Sequence, residues 1–255
     1  MHALLDRSDE ADRAFVDAGL RMRWARTEDA RERDGVLDLH RALVATSARA
    51  HAERREEIRS GRLRGAALRR VIEKTPLERR DHFVEELLGV AYPPLDEPAL
   101  VDERMPYTPS GYDQITHALE TTQLRAGQRF VDIGSGMGKV VLLAALLGGA
   151  DAIGIEHDPI LHDLAVEATR ALDVPLARFE CIDARHASIA DVDVLFMYIP
   201  FTGNTLRTAL DRFMEQARAS PRRRHLCTSA IDRRVHPALE PVGEPRSWLQ
   251  VYAWG

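Results

Sequence analysis

A glycine-rich segment at residues 130–139 carries the pattern best suited to chemistry. It reads FVDIGSGMGK, in which Asp132 is followed by glycines at 134, 136 and 138. Glycine permits positive φ and lets a ligand approach the backbone closely. A Walker A loop is excluded because a valine follows the Gly-Lys pair and the first glycine of that motif is missing. A dinucleotide fingerprint fits poorly because its third glycine comes one place early, so the spacing D-x-G-x-G-x-G predicts a site for another ligand.

Two further acids end the next two predicted strands. Glu156 lies in the segment IGIEHD, and Asp183 lies in FECIDARH. Parallel strands bring their carboxyl ends to the same edge of an open α/β sheet, where ligands bind. We therefore expect Asp132, Glu156 and Asp183 to converge on one rim of the sheet.

This arrangement resembles the first motifs of class I S-adenosylmethionine-dependent methyltransferases, over about residues 107–255. In that superfamily an acid in the place of Glu156 accepts hydrogen bonds from both ribose hydroxyls, for which a carboxylate offers two acceptor oxygens. The resemblance also implies that Asp183 meets the adenine amino group and that the backbone N–H of Ala184 meets a ring nitrogen. The cofactor-binding residues so predicted are Asp132, Gly134, Ser135, Gly136, Gly138, Glu156, His157, Asp183 and Ala184.

Two aromatic segments are expected to surround the methyl group. The fourth predicted strand ends in YIPFTGN, where many amino-methylating relatives carry a polar residue at the place of Ile199. The segment MPYTPSGYDQ, before the first strand, resembles the histone methyltransferases of the disruptor-of-silencing type, whose pre-sheet loop closes over the methionine moiety. Aromatic faces stabilise cations such as a sulfonium, and no strong general base stands out. These segments add Gln114 to the cofactor-binding residues, and Tyr107, Tyr112, Tyr198, Phe201 and Asn204 as candidates at the reacting centre.

The elements that position these residues follow from the hydrophobic pattern. From residue 112 onward helices alternate with short apolar strands, and the last two strands, 239–245 and 247–254, are tightly joined. The alternation predicts an α/β fold, a doubly wound, mostly parallel sheet with helices on both faces, closed by an antiparallel hairpin. We expect seven strands and assign residues 105–255 to this S-adenosylmethionine-binding, Rossmann-like domain.

Residues 1–90 are rich in Ala, Arg, Leu and Glu and predict helices. The clearest helix start is Thr75-Pro76-Leu77-Glu78, where Thr75 fits the N-cap and Glu78 can close a capping box, and this helix should end near Gly89. A proline-rich connector follows at residues 91–111. We therefore predict that residues 1–104 form an α-helical cap with a proline-rich strap, and that the cap provides the lid and the acceptor pocket.

The composition restricts the partners and the compartment. With 255 residues, 45% hydrophobic and 29% charged, the chain is ordinary for a globular protein, and a net charge of −5 gives no basic surplus for nucleic acid. No secretory signal is present, and the longest apolar run is too short to cross a bilayer. No set of side chains has the spacing of a closed metal site, and we expect Cys181 and Cys227 to be buried thiols. We predict a cytoplasmic enzyme that acts on a small-molecule substrate, without a metal ion and without a nucleic acid or membrane partner. The oligomeric state is left open.

Three functions are compatible with these motifs. The first is transfer from S-adenosylmethionine, as co-substrate, to a small amino-acid-like or secondary-metabolite acceptor, by in-line displacement that depends mainly on positioning. The second resembles azetidine-forming cyclases, in which the amine of S-adenosylmethionine attacks its own γ-carbon, releases methylthioadenosine and forms azetidine-2-carboxylate. The third is a non-catalytic S-adenosylmethionine-binding protein.

Overall fold

The computed structural model describes residues 8–95, 107–198, 203–219, 222–229 and 238–254. The chain divides into two units, Met1–Pro98 and Ala99–Gly255. The domain boundary predicted between residues 104 and 105 lies outside the described residues and stays a prediction.

The described part of the first unit is helical. Aspartates begin its first two helices, because the carboxylate of Asp9 accepts the N–H of Asp12 at 3.0 Å and that of Asp29 accepts the N–H of Glu32 at 2.9 Å. The fifth helix ends at Gly89, whose φ of 83° is left-handed, as the sequence predicts. The helices are α1 (Glu10–Arg26), α2 (Ala30–Ala50), α3 (Ala52–Arg59), α4 (Gly65–Glu73) and α5 (Leu77–Leu88).

The predicted capping box at Thr75 is wrong. Helix α5 begins at Leu77 with Pro76 at the N-cap and no hydrogen bond from a capping side chain. The N–H of Thr75 donates to the carbonyl of Ile72 at 3.0 Å, so Thr75 belongs to the turn that closes α4. The apolar face of α5 is nevertheless buried as the pattern predicts, through Phe83, Val84, Leu87 and Leu88.

A buried carboxylate lies on the same helix, among charged and polar side chains. Both oxygens of Glu86, which is 0% exposed, accept hydrogen bonds from Nε and Nη2 of Arg13 at 2.6 Å each. His51 Nε2 lies 3.1 Å from the same carboxylate, and the hydroxyl of Tyr92 donates to it. Arg55 donates to the backbone carbonyl of Glu86 at 2.6 Å. Burial alone would raise the pKa of Glu86, but the bonds from Arg13, His51 and Tyr92 outweigh it and hold that pKa far below its usual value.

The second unit contains a seven-stranded sheet of order β3-β2-β1-β4-β5-β7-β6. The first five strands are parallel, and β7 pairs antiparallel with both β5 and β6, which confirms the predicted fold class. The strands are β1 (Arg129–Ile133), β2 (Asp151–Glu156), β3 (Ala177–Cys181), β4 (Val194–Met197), β5 (Arg224–Ser229), β6 (Glu240–Arg246) and β7 (Leu249–Trp254).

Helices connect these strands. Helix α7 joins β1 to β2, and its residues 139–146 are all buried. Cys227 in the interior strand β5 is buried, but Cys181 is exposed, so the predicted burial of Cys181 is wrong. Cys181 is the last residue of β3, an edge strand of the sheet, where one side has no neighbouring strand. The helices are α6 (Tyr112–Thr121), α7 (Lys139–Gly148), α8 (Pro159–Leu172) and α9 (Gly203–Ala219), and a 3₁₀ turn is formed by Ala184–His186.

Candidate active site

The glycine-rich segment forms a tight turn between β1 and α7. The N–H groups of Gly134 and Ser135 both donate to the carbonyl of Ile155, at 2.8 and 3.1 Å, so the turn folds against the end of β2. The three glycines have φ values of 76°, 52° and 88°, a region that other residues rarely adopt. The repeated glycine is therefore a requirement of this backbone path.

Glu156 holds this turn in place. Its Oε2 accepts the N–H of Gly136 at 2.7 Å, and its Oε1 accepts the N–H groups of His157 and Asp158 at 2.8 Å each. A carboxylate offers about four lone-pair positions, so Oε2 keeps acceptor capacity beside the glycine turn. One side chain thus organises the turn and presents an acceptor on the carboxyl rim of the sheet.

Asp132 lies beneath the turn instead of on its surface. It is buried in β1, opposite Gly154 of β2 and Phe196 of β4. Burial raises the pKa of Asp132 well above its usual value, and the nearby charge of Glu156 raises it further. Asp132 is therefore a buried acid with a raised pKa, and its predicted contact with the cofactor stays a prediction.

Aromatic rings press against three glycines of the site. A Cβ at Gly138 or at Gly154 would lie 2.5 Å from a ring carbon of Phe179, which is paired with Gly154 across β2 and β3. A Cβ at Gly136 would collide with the ring of Tyr107. Phe179 and Gly154 were not among the predicted site residues, because their proximity depends on a strand register that the sequence does not display.

We expect Gly136→Ala to destabilise the second unit more than Gly127→Ala does. Both glycines have positive φ, 52° and 83°, so each substitution adds about 1–2 kcal/mol of left-handed strain. A Cβ at Gly127 meets nothing within 4 Å, whereas one at Gly136 must displace Tyr107. Urea unfolding of both variants measures the difference, and equal losses would mean that Tyr107 moves aside without cost.

Asp183 is already engaged by a neighbouring guanidinium. Its Oδ1 accepts the backbone N–H of Arg185 at 2.8 Å and Nε of Arg185 at 3.0 Å, while Oδ2 accepts Nη2 at 2.7 Å. These bonds lower the pKa of Asp183 to about 2, so the carboxylate stays ionised at neutral pH. Ala184 begins the 3₁₀ turn that follows β3. Arg185 was not predicted, because its role comes from a local turn geometry that many sequences share.

Both polar groups of the predicted cofactor residue Gln114 form structural hydrogen bonds. Its Oε1 accepts the N–H of Gly111 at 2.7 Å, which caps α6, and its Nε2 donates to the carbonyl of Ser247 at 2.6 Å. Tyr112, the first residue of α6, is buried, while Tyr107 is half-buried against the glycine turn. These hydrogen bonds favour a structural part for Gln114, and contact of Tyr107 or Tyr112 with a ligand stays a prediction.

The remaining predicted residues are less closely gathered. Tyr198 follows β4 and is half-buried, and His157 is exposed beside Glu156. Asn204 lies exposed in the first turn of α9, where its Oδ1 accepts from Arg207 at 3.2 Å. Phe201, with Ile199, lies outside the described residues.

One polar atom of the site lacks a partner. The hydroxyl of Ser135 is buried and makes no hydrogen bond to any residue that the structure describes. A buried polar atom without a partner costs free energy unless a ligand or water satisfies it. This buried hydroxyl therefore has hydrogen-bonding capacity for a water molecule or a polar group of a ligand.

Within residues 8–95, 107–198, 203–219, 222–229 and 238–254, no three His, Cys, Asp or Glu side chains are placed to hold a metal ion. Among the described helices, none combines the length and apolar character needed to cross a membrane.

A family model described as histone methylation protein DOT1 matches residues 105–191. The matched stretch includes Tyr107, the glycine turn, Glu156 and Asp183, and it lies in a unit with the strand order of class I methyltransferases. This match and the fold support the assignment of the second unit to the class I S-adenosylmethionine-dependent methyltransferase superfamily. S-adenosylmethionine is the co-substrate of that superfamily, and the match covers the half of this methyltransferase unit that precedes β4.

Individual relatives are similar over part of the chain. Protein-L-isoaspartate O-methyltransferase 2 of Anaeromyxobacter sp. (strain Fw109-5) is 34% identical over 114 residues, which are 43% of this chain and 43% of the relative. The chain thus spans less than half the length of this curated relative.

Solved structures with a similar fold include two further proteins. An RNA methyltransferase of Salinibacter ruber, in complex with S-adenosyl-L-homocysteine, is 22% identical with a TM-score of 0.44, over 58% of this chain and 92% of that one. TrmN of Thermus thermophilus is 25% identical with a TM-score of 0.43, over 55% of this chain and 47% of that one.

Proposed function

We propose that this chain transfers a methyl group from S-adenosylmethionine to a small, amino-acid-like amine acceptor, without a metal ion. The observation that carries the proposal is the Glu156 carboxylate, which binds the glycine turn and keeps an acceptor on the carboxyl rim. Asp183 follows the end of the neighbouring strand β3 on the same rim. The superfamily match over residues 105–191 supports the choice of donor. The net charge of −5 supports a small acceptor over a nucleic acid.

The residues of this chain divide the work between binding and positioning. Glu156 would accept hydrogen bonds from the ribose hydroxyls, and Asp183 would accept one from the adenine amino group. When bound, S-adenosylmethionine supplies an electrophilic methyl group, whose carbon–sulfur bond breaks as the acceptor nitrogen binds the carbon and sulfur keeps the electron pair. The ammonium product can lose its proton to water, so the chain's main task is to hold the amine in line, which can supply on the order of 7–11 kcal/mol.

We expect S-adenosylhomocysteine to form only when an amine acceptor is added. The purified protein is incubated with S-adenosylmethionine alone, and then with a mixture of amino acids and amino-acid amides. The assay contains EDTA throughout, because the proposed transfer needs no metal ion. Mass spectrometry identifies both the sulfur product and any methylated amine.

Two other results would replace the proposal. Methylthioadenosine and azetidine-2-carboxylate formed from S-adenosylmethionine alone would identify a cyclase. Tight binding of S-adenosylmethionine with no product under any condition would identify a binding protein. Activity that appears only when Mg²⁺ replaces EDTA would show that the metal-free part of the proposal is wrong.

A further inference from the structure

The turn between β6 and β7 lies at the carboxyl rim of the sheet. Strand β7 is antiparallel to β5, and its first residue, Leu249, is paired with Ser229, the last residue of β5. Ser247 and Trp248 precede Leu249, so they stand at the rim on the β4–β5–β7 side. Glu156 and Asp183 lie at the same rim, at the ends of β2 and β3. We therefore expect the donor to bind on their side, and the acceptor to bind on the side that carries Trp248.

This turn has an unfavourable backbone for its residue types. Ser247 and Trp248 have φ values of 50° and 66°, and they connect two antiparallel strands as a two-residue turn. Turns with positive φ at both central residues strongly prefer Asn-Gly, because other side chains, bulky ones above all, are strained there. The backbone geometry of the hairpin turn therefore does not explain why a tryptophan stands at this position.

The indole of Trp248 is also not used for packing. Trp248 is 82% exposed, whereas Trp254, at the other end of the same hairpin, is 5% exposed in the core. Residues held in strained backbone conformations cluster at functional sites, so a strained tryptophan whose side chain is left in solvent points to a binding role.

A buried amide fixes this turn relative to the cofactor side. Nε2 of Gln114 donates to the carbonyl of Ser247 at 2.6 Å, and its Oε1 accepts the N–H of Gly111 at 2.7 Å. Tyr107 precedes Gly111 by four residues, and its ring lies against Gly136 of the glycine turn. Trp248 is therefore carried on a turn that is tied to the segment flanking the glycine turn.

The indole of Trp248 suits a planar partner. Aromatic rings pair in offset-stacked or edge-to-face arrangements, which contribute about 0.5–1.5 kcal/mol beyond the area that they bury. Trp248 is 82% exposed, so its indole is accessible to such a ring.

We propose that Trp248 is an acceptor-binding residue, and that the acceptor is an amine with an aromatic or heteroaromatic ring that stacks on its indole. This inference rests on the proposed methyl transfer and names the class of its acceptor. It assigns to the β6–β7 turn the selection of the acceptor, and to the β1–β3 side the binding of the donor.

The test compares two probes that carry the same amine. L-phenylalaninamide has a planar ring, and L-cyclohexylalaninamide has a saturated ring of the same connectivity. Calorimetry measures their binding to the complex of the protein with S-adenosylhomocysteine, for the wild type, Trp248→Tyr and Trp248→Asn. We expect the planar probe to bind the wild type about five-fold more tightly, Trp248→Tyr to keep the preference and Trp248→Asn to lose it. The affinity for S-adenosylhomocysteine should be the same in all three proteins.

The stability of the variants gives a second measurement. Asparagine tolerates the left-handed backbone better than tryptophan, so Trp248→Asn is expected to raise the melting temperature by a few degrees. A lower melting temperature would mean that the indole stabilises the fold, and a preference for the planar probe that survives in Trp248→Asn would overturn the proposal. Failure of both probes to bind the wild-type complex would overturn it as well. If binding depends on Trp248 but no methyl group is transferred, the proposed function fails and the binding surface stands.

Discussion

Glu156→Ala is expected to weaken the binding of S-adenosylhomocysteine by between ten-fold and a hundred-fold. The carboxylate accepts the N–H of Gly136 at 2.7 Å and is the acceptor assigned to the ribose hydroxyls. Hydrogen bonds to a charged group contribute roughly 1.5–3 kcal/mol, and every 1.4 kcal/mol changes the dissociation constant about ten-fold. Isothermal calorimetry with purified protein measures this loss directly.

The matched control is Glu180→Ala. Glu180 is an exposed acid on the neighbouring strand β3, so this variant removes the same charge from the same sheet without touching the glycine turn. Its affinity should equal that of the wild type. Because Glu156 also binds the N–H groups of His157 and Asp158, circular dichroism must show that Glu156→Ala is folded. Unchanged affinity in a folded Glu156→Ala would remove the main support for the site.

The sequence predicts most of the cofactor side of the second unit. The D-x-G-x-G-x-G spacing is local, and Asp132, Glu156 and Asp183 each lie at or near the carboxyl end of a strand that hydrophobic pattern and length alone delimit. The alternation of helices and strands also predicts the parallel sheet with its closing hairpin, since few other arrangements bury such strands on both faces. These features can be predicted because the residue patterns that determine them lie within short segments of the chain.

The parts that the sequence does not predict depend on distant residues meeting. Phe179 fills the space above Gly154 only because β3 pairs with β2 in one particular register. Gln114 reaches the carbonyl of Ser247 across 133 residues of chain. Glu86 lies on a helix face next to Leu87, yet its charge is compensated by Arg13, 73 residues earlier. Such contacts are set by tertiary packing, which no local pattern encodes.

The buried pair of Glu86 and Arg13 gives the largest expected effect on stability. Glu86→Gln leaves the Arg13 guanidinium, which is 3% exposed, without its charged partner in the interior of the first unit. Breaking a buried pair by removing one member costs about 3–5 kcal/mol, because the remaining charge stays desolvated. Hydrogen exchange measured by mass spectrometry reports the opening of α5 separately from the second unit, and we expect its protection to fall by a corresponding factor.

An exposed pair on α2 serves as the control. Arg41 and Asp38 form an ion pair at 3.1 Å, and their side chains are 74% and 70% exposed. Asp38→Asn should cost less than about 1 kcal/mol, because water solvates both groups and salt screens them. Equal losses in Asp38→Asn and Glu86→Gln would contradict the argument that burial makes the interior pair costly to break.

The same network predicts how the first unit responds to acid. The folded-state pKa of Glu86 is depressed, so its contribution to stability is fully present above the unfolded-state pKa of about 4.3 and is lost as the pH falls below it. Protection of α5, corrected for the intrinsic exchange rate, should therefore decrease from about pH 4 downward in the wild type. In Glu86→Gln this position no longer titrates, so the decrease should be smaller. An identical acid response in both proteins would show that other carboxylates control the unfolding of this unit, and that Glu86 is held by packing more than by its charge.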